Sequence, residues 1–470
     1  MKRIEKTILK DIPLRRGAVV TAILLLISSF ITIFLPGCTQ QEKGTADHPK
    51  PNILLLVADD AGWHDVGYHQ SEIKTPNIDK LIKTGVELDH FYAYPTCSPT
   101  RAALLSGRNP SRYGILGPIA MRSKQILPPE TVTLPALLQK KGYITAITGK
   151  WHLGLRPENG PRQYGFDHTY GFLHGQIDQY THKYKNGDRS WHRNDVFIEE
   201  EGHATDLITR EAVQFIKKMK GKNKPFFLYV SFSVPHYPLQ EEEKWVKPYA
   251  FIENKSRRLY AASMTHMDAA IGDLIYTLEN EQLRDNTIVI FLSDNGAQEN
   301  WTPDFEYNGK HGPYDRLGNN RPLKDWKGSL YEGGIRVPAV LNWPQKLIPH
   351  KVEQVVSVTD IYPTVAHLAG IEVNTNLLLD GQKALPVIAN GDSLTKRNLY
   401  WRTSGQSAIR RGKWKLVCSS GTSDLTECEL YNIDTDPEEK NDIAKQHVKI
   451  TSKLQSLLKT EIQRDTNEEK

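Results

Sequence analysis

The chain has little cysteine, four residues in 470, and none of them begins a Cys-x5-Arg sequence. Four thiols are too few for a disulfide-stapled scaffold, and the missing spacing excludes a cysteine-phosphatase loop. Net charge is low as well. The formal +5 includes a leader whose six basic and two acidic residues account for four of those charges, leaving about +1 after Gly37. Near-neutrality gives no bulk electrostatic argument for nucleic acid as a partner. Internal repeats and low-complexity tracts are absent too, which removes repeat architectures from consideration.

Long apolar runs are confined to one, residues 17–35, preceded by Lys2, Arg3, Lys6, Lys10, Arg15 and Arg16. Basic residues before an apolar stretch are a signal-peptide layout. The run closes in "LPGC", similar to a bacterial lipobox apart from Pro36, so residues 1–37 read as a lipoprotein signal peptide and Cys38 as the lipid-bearing residue. An exported protein anchored in the membrane at the cell surface or in the periplasm is expected, with residues 38–50 as a polar tether. The alternative is an N-terminal transmembrane anchor, since a run of about 19 apolar residues can cross a bilayer. What remains fits one large domain with a small companion.

Beyond the tether, short apolar runs alternate with helical segments, the rhythm of an α/β protein with a buried, mostly parallel sheet. Four runs end in reactive side chains: "NILLLVADD" in Asp59 and Asp60, "YITAITGKWH" in Lys150 and His152, "FFLYVSFSVPH" in His236, and "TIVIFLSDNG" in Asp294 and Asn295. Helices are expected over "NIDKLIKTG", "LPALLQKKG", "HATDLITREAVQFIKKMKG" and "RRLYAASMTHMDAAIGDLIYTLEN". Open α/β sheets bind ligands beyond the carboxyl ends of their strands, so four such endings converge on one crevice. Asp59, Asp60, Asp294 and Asn295 offer only oxygen, and no Cys or spaced His pair accompanies them. Adjacent carboxylates repel unless a cation sits between them, and an all-oxygen set suits Ca2+ or Mg2+ rather than zinc, with Ca2+ expected here.

Cys97 stands in "YPTCSPTRAALLSGR". Pro99 suits a first helical turn, so Cys97 falls at a helix N-terminus, with Arg101 one turn on along the same face. Free backbone N–H groups and a partial positive charge there suit a tetrahedral oxyanion. A thiolate nucleophile is one reading, because Arg and the helix terminus both lower a thiol pKa. A hard cation is nonetheless a poor companion for sulfur. Cys418 and Cys428 lie where paired strands are expected, and an oxidising compartment allows a disulfide that spacing alone does not establish.

From Pro51 to about Ala444 these motifs resemble the formylglycine-dependent sulfatases of the alkaline-phosphatase superfamily. The signature Cys-x-Pro-x-Arg followed by Ser-Gly-Arg is matched by Cys97, Pro99, Arg101, Ser106, Gly107 and Arg108, and "TGKWHLG", "GFDHTYGF", "SFSVPHYPLQ" and "FLSDNGA" add to it. Within the family, "NNRPLKDWKGSLYEGG" looks most like the arylsulfatase B (N-acetylgalactosamine-4-sulfatase) branch. The resemblance implies a large mixed, mostly parallel sheet sandwiched by helices in a catalytic domain over 51–395. A small C-terminal α+β domain on an antiparallel sheet follows over 396–470.

The resemblance also implies a sulfuric ester hydrolase whose Cys97 is oxidised to formylglycine by a separate formylglycine-generating enzyme. Asp59, Asp60, Asp294, Asn295 and the modified Cys97 would hold Ca2+, and Arg101 the hydrated aldehyde. Lys150 would hold the sulfate and His152 act as base, with His236 and Lys327 beside the leaving oxygen. His182, His311 and Trp301 are candidate contacts for a sulfated carbohydrate, from a glycosaminoglycan or an algal polysaccharide, and Tyr307 and Tyr314 are further candidates to stack on a sugar. Two rivals remain open here: a phosphodiesterase or phosphonate monoester hydrolase of the same superfamily, and a lipoprotein that binds sulfated glycans without turnover.

Overall fold

The computed structural model describes residues 50–468 apart from Asp304, Gln345, Ser393 and Ser423. The leader, Cys38 and nearly all of the tether lie outside the described residues. Sixteen strands follow in chain order: β1 (Asn52–Asp59), β2 (Val86–Leu88), β3 (Phe91–Tyr92), β4 (Ile144–Lys150), β5 (His168–Phe172), β6 (Trp191–Arg193), β7 (Val196–Phe197) and β8 (Phe226–Pro235). Then come β9 (Thr287–Ser293), β10 (Ala339–Asn342), β11 (His350–Val352), β12 (Val356–Ser357), β13 (Leu399–Arg402), β14 (Ser407–Arg411), β15 (Trp414–Cys418) and β16 (Cys428–Asn432).

Ten of these form one sheet in the order β11-β2-β10-β9-β1-β8-β4-β5-β6-β7. Its centre, β9-β1-β8-β4-β5, is parallel throughout, and antiparallel pairs flank it on both sides. The continuous apolar runs are explained by burial on both faces. In β1, Ile53, Leu55 and Val57 join one core while Leu54, Leu56 and Ala58 join the other. Each such leucine or valine contributes about 1.5–3 kcal/mol.

Helices Pro76–Lys83, Ala204–Met219 and Lys255–Asn280 cover one face. Cys97–Ser106, Leu134–Lys140 and Ile361–Leu368 cover the other. The 26-residue helix begins two positions before the expected Arg257, because Asn254 Oδ1 accepts from Arg257 N at 2.8 Å and caps it there.

Strands β13 to β16 form a separate antiparallel sheet. Helix Val448–Glu468 packs its Leu454, Leu458 and Ile462 onto Ile409, Leu416 and Leu430 of that sheet. Cys418 and Cys428 are directly opposite across β15 and β16 and form a disulfide. On β15, Lys415 Nζ lies 2.8 Å from both Glu332 and Glu439 in a fully buried ion group. No helix among the described residues is long and apolar enough to cross a membrane.

Candidate active site

Strands β9, β1, β8 and β4 are neighbours and parallel, so their carboxyl ends finish side by side. Ala58 is level with Ser293, and Asp59 with Pro235. That register delivers Asp59, Asp60, Lys150, His152, His236, Asp294 and Asn295 to one crevice, and all are buried. Backbone bonds fasten the tips together: Asp294 N donates to Ala58 O at 3.1 Å, Asp60 N to Asp294 Oδ1 at 3.2 Å, and Ala61 N to Ser293 Oγ at 2.9 Å.

Three buried carboxylates cannot share a crevice without positive charge, and the chain supplies it. Lys150 Nζ bonds both Asp59 oxygens at 2.8 and 2.7 Å, and Lys327 Nζ bonds Asp60 Oδ2 at 2.7 Å. Arg101 donates to Asp294 Oδ2 from Nε at 3.2 Å and from Nη2 at 2.7 Å. Its Nη1 reaches Lys150 O, Tyr229 OH and Ser231 Oγ. Burial pushes the Asp59 carboxyl up despite Lys150. At Asp60 burial also works upward, but Lys327 and His236 outweigh it and hold the carboxyl at about 2. Arg101 is thus tied to the Asp294 carboxylate by two bonds.

The same donors fit a hard divalent cation. Asn295 gives its Nδ2 to Asp60 Oδ1 at 2.7 Å, which leaves Asn295 Oδ1 buried with no partner. Ligand atoms of Asp59, Cys97 and Asp294 lie within 4.8 Å of one another, as do those of Asp59, Asp60 and His236. Oxygen predominates among these donors, as calcium and magnesium prefer.

Cys97 opens a ten-residue helix that is buried along its whole length, with Thr96 as its extended N-cap. The thiol is free and closed off from solvent. Burial raises its pKa although Lys150 and Lys327 pull it down. The lowered thiol pKa that a helix terminus and Arg101 suggest is thus overturned by desolvation, which weakens the thiolate reading.

The two histidines are held by single backbone contacts. His152, at φ 60°, places Nε2 2.9 Å from Ile119 O, so that nitrogen donates and Nδ1 keeps its lone pair. Nδ1 is buried without a partner. Burial, with Lys150 and Arg101, drives this imidazole well below its ordinary pKa, and it is neutral. The main chain of Gly175 lies directly against the ring. His236 donates from Nδ1 to Tyr237 O at 2.6 Å, which turns Nε2 toward Asp60 Oδ2 at 3.7 Å.

The candidate sugar contacts are distributed differently. His182 is buried, stacked on Trp191, with Nε2 3.0 Å from Gly202 O. Trp301 is packed between Tyr237 and Tyr314, so Tyr237, next to His236, takes the outer place in that stack. His311 is held by Asp178 at 2.8 Å. Sequence reasoning passed over Tyr229, Ser231, Ile119, Gly175 and Tyr237. Tyr237 alone carried a signal, as an aromatic directly after His236 in "VPHYP".

Comparison with known proteins agrees with this geometry. The sulfatase family model matches residues 51–371, and the model for the N-sulphoglucosamine sulphohydrolase C-terminal region matches residues 325–468. Mouse arylsulfatase J is 31% identical, over 88% of this chain and 76% of its own length. Human N-acetylgalactosamine-6-sulfatase is 33% identical, over 79% of this chain and 72% of its own. Among solved structures, Ps i-CgsB in complex with k-i-k-neocarrahexaose is similar at TM-score 0.77 and 33% identity, covering 86% of this chain and 91% of that one.

Proposed function

Since the chain belongs to the sulfatase family and is a sulfuric ester hydrolase, we propose that it removes O-sulfate from a carbohydrate, using formylglycine made from Cys97 and a bound Ca2+. The observation that carries this reading is the meeting of the Cys97 helix terminus with four hard donors and two lysines in one closed crevice. Ca2+ is favoured over Mg2+ by the larger set of oxygen donors. A sugar ester is favoured by similarity to an N-acetylgalactosamine-6-sulfatase and to a structure holding a neocarrahexaose. Glycosaminoglycan and algal polysaccharide fragments are the two natural substrate classes.

Formylglycine supplies a hydrated aldehyde oxygen as nucleophile, and the cation supplies charge that polarises the sulfuryl oxygens. Asp59, Asp60, Asp294 and Asn295 are the residues to hold that cation. Arg101 keeps Asp294 in position through two bonds. Lys150 and Lys327 would turn from their carboxylates to the sulfuryl oxygens, where a dry site makes two ammonium groups effective. His152 Nδ1, neutral and unpartnered, accepts a proton. His236 has its Nδ1–H held by Tyr237 O, and burial with Lys327 keeps the free ring neutral, so Nε2 gives a proton to the leaving oxygen only as the imidazolium, formed once an anionic sulfate ester sits beside it. That help is worth about 10²–10⁴-fold and most for a sugar alcohol.

The proposal includes a large catalytic domain over 51–395, a small domain over 396–470, maturation by a formylglycine-generating enzyme, and export as a lipoprotein through Cys38. Production with and without that maturation enzyme, followed by parallel assays of sulfate and phosphate esters, tests the central claim. Activity should require maturation and favour sulfate, and peptide mass should show sulfur at Cys97 replaced by an aldehyde oxygen. A strong phosphate preference would support the phosphodiesterase rival. Full activity with an intact thiol would remove formylglycine from the account.

A further inference from the structure

Strands β9, β1, β8 and β4 also begin together, at the edge of the sheet opposite the crevice: Asn52 is level with Thr287, Ile53 with Phe227, and Ile144 with Phe226. Consider the five residues before each of these strands, taking for β1 the described Lys50 and Pro51. Their basic members are Lys50, Lys140, Lys141, Lys222, Lys224 and Arg284, and their one acid is Asp285. The loops are knit together. Lys50 Nζ donates to Lys141 O at 3.3 Å, Ile144 N to Pro225 O at 3.0 Å, and Asn286 Nδ2 to Lys50 O at 3.1 Å.

Arg284 is buried and donates to Thr287 O and Asn342 Oδ1. The five lysines are exposed, and none makes an ion pair among the described residues. Lys217 and Lys218, exposed on the last turn of Ala204–Met219, extend the patch, while Lys220 is neutralised by Glu281 at 2.9 Å. The helix dipole favours lysine at a carboxyl terminus, which accounts for Lys140, Lys217 and Lys218. Lys50, Lys222 and Lys224 lie outside any helix, so the dipole does not place them. After the leader the whole chain carries only about +1, so this edge is a local excess of positive charge, suited to an extended anionic surface.

The chain also enters the fold here. Lys50 is the first described residue, so everything before it is joined at this edge. Cys38 lies twelve positions earlier, and a lipid on it would hold this edge, not the crevice, toward a bilayer. The crevice is at the far end of the eight-residue β1, about 23 Å away.

We propose that Lys50, Lys140, Lys141, Lys222 and Lys224 seat the protein on an anionic phospholipid surface, with the crevice turned to the water. The choice of lipid as partner rests on the lipoprotein reading above. A sulfated glycan is the other polyanion to hand, but one bound at this edge would lie about 23 Å from the groups that cleave sulfate. Each lysine at such a surface contributes about fivefold in affinity, and salt screens the attraction.

The test uses the mature chain, residues 38–470, with Cys38→Ser so that it carries no lipid. Co-sedimentation is measured with phosphatidylcholine vesicles, with and without phosphatidylglycerol. Binding should require phosphatidylglycerol and weaken at high salt. Lys140→Gln, Lys141→Gln, Lys222→Gln and Lys224→Gln together should weaken it by about 10²-fold or more, while the same change at the exposed Lys445, Lys449, Lys453 and Lys459 should leave it within about twofold. Melting curves and turnover of 4-nitrophenyl sulfate by matured protein should be the same in both sets, and vesicle-bound enzyme should keep that turnover. Absence of binding to anionic vesicles, equal loss from the two sets, or turnover blocked on the vesicles overturns the proposal. So does binding to dextran sulfate, but not to vesicles, that the first set abolishes; that result assigns the edge to a glycan. The mass of the N-terminal peptide from exported protein tests the lipoprotein reading separately. A bare Cys38 removes that reading, while vesicle binding by the lipid-free chain supports the lysine surface on its own.

Discussion

Replacing Gly175 with alanine should cost about a hundredfold in kcat without unfolding the protein. A Cβ at this position would stand 2.5 Å from His152 Cε1 and 2.6 Å from Nε2. Carbon contacts relax at about 3.5–4.0 Å, so the ring must retreat by about 1 Å. Retreat is resisted, because Nε2 is bonded to Ile119 O at 2.9 Å and the ring is buried. Displacing a catalytic group by about 1 Å costs about 10²-fold, or about 2.7 kcal/mol of barrier. KM for a small aryl sulfate should move less, since Lys150 and Lys327 are untouched. Initial rates on 4-nitrophenyl sulfate, from preparations matched for formylglycine content and checked by melting curves, measure the effect. His152→Ala should be at least as damaging, and the double variant no worse than His152→Ala, because both changes act through one ring. A folded Gly175→Ala enzyme with wild-type kcat would refute this, as would full additivity in the double variant.

Asp294→Asn should lose bound metal and activity together. It also weakens the partner of a buried guanidinium, at a cost approaching the 3–5 kcal/mol of a broken buried pair; metal analysis and urea unfolding read both effects, and a fully active, metal-free variant would defeat the cation assignment. His266 sits between Glu241 at 2.7 Å and Asp206 at 3.0 Å, and although burial works downward these carboxylates raise its pKa to about 9. A raised folded pKa means stability that is complete below about pH 6.5 and lost as pH climbs through about 9, up to about 3 kcal/mol in all. Unfolding at pH 6 and pH 9.5 should show that loss in the wild type and not in His266→Gln; parallel slopes would contradict it. Cys418→Ser with Cys428→Ser opens a loop of sequence separation 10, which should cost about 3 kcal/mol, and a melting temperature unmoved by the pair of changes would argue against it.

The reactive strand ends could be read from the chain because two strong signals coincide there. Continuous apolar runs such as "NILLLVADD" mark strands buried on both faces, and the residues just beyond them must lie at the sheet's carboxyl edge. Pro99 and the good helix formers after it likewise located Cys97 at a helix start. The supports of these groups carried no such mark. Ser231 and Tyr229 meet Arg101 across 130 and 128 positions, and Ile119 meets His152 across 33, through the register of β8 and β4 and a loop path that no local periodicity encodes. His182 and Trp301 show the same limit from the other side. As loop residues they read as exposed contacts, yet stacking on Trp191 and on Tyr237 buries them.

By itself, then, the sequence determined the strand endings, the donor types and the cysteine's place at a helix N-terminus, because these depend on local pattern. Which nitrogen of His152 stays free, and that burial lifts the Cys97 pKa against its lysines, were decided only by tertiary structure. Each of those depends on desolvation and on partners that long-range packing brings together.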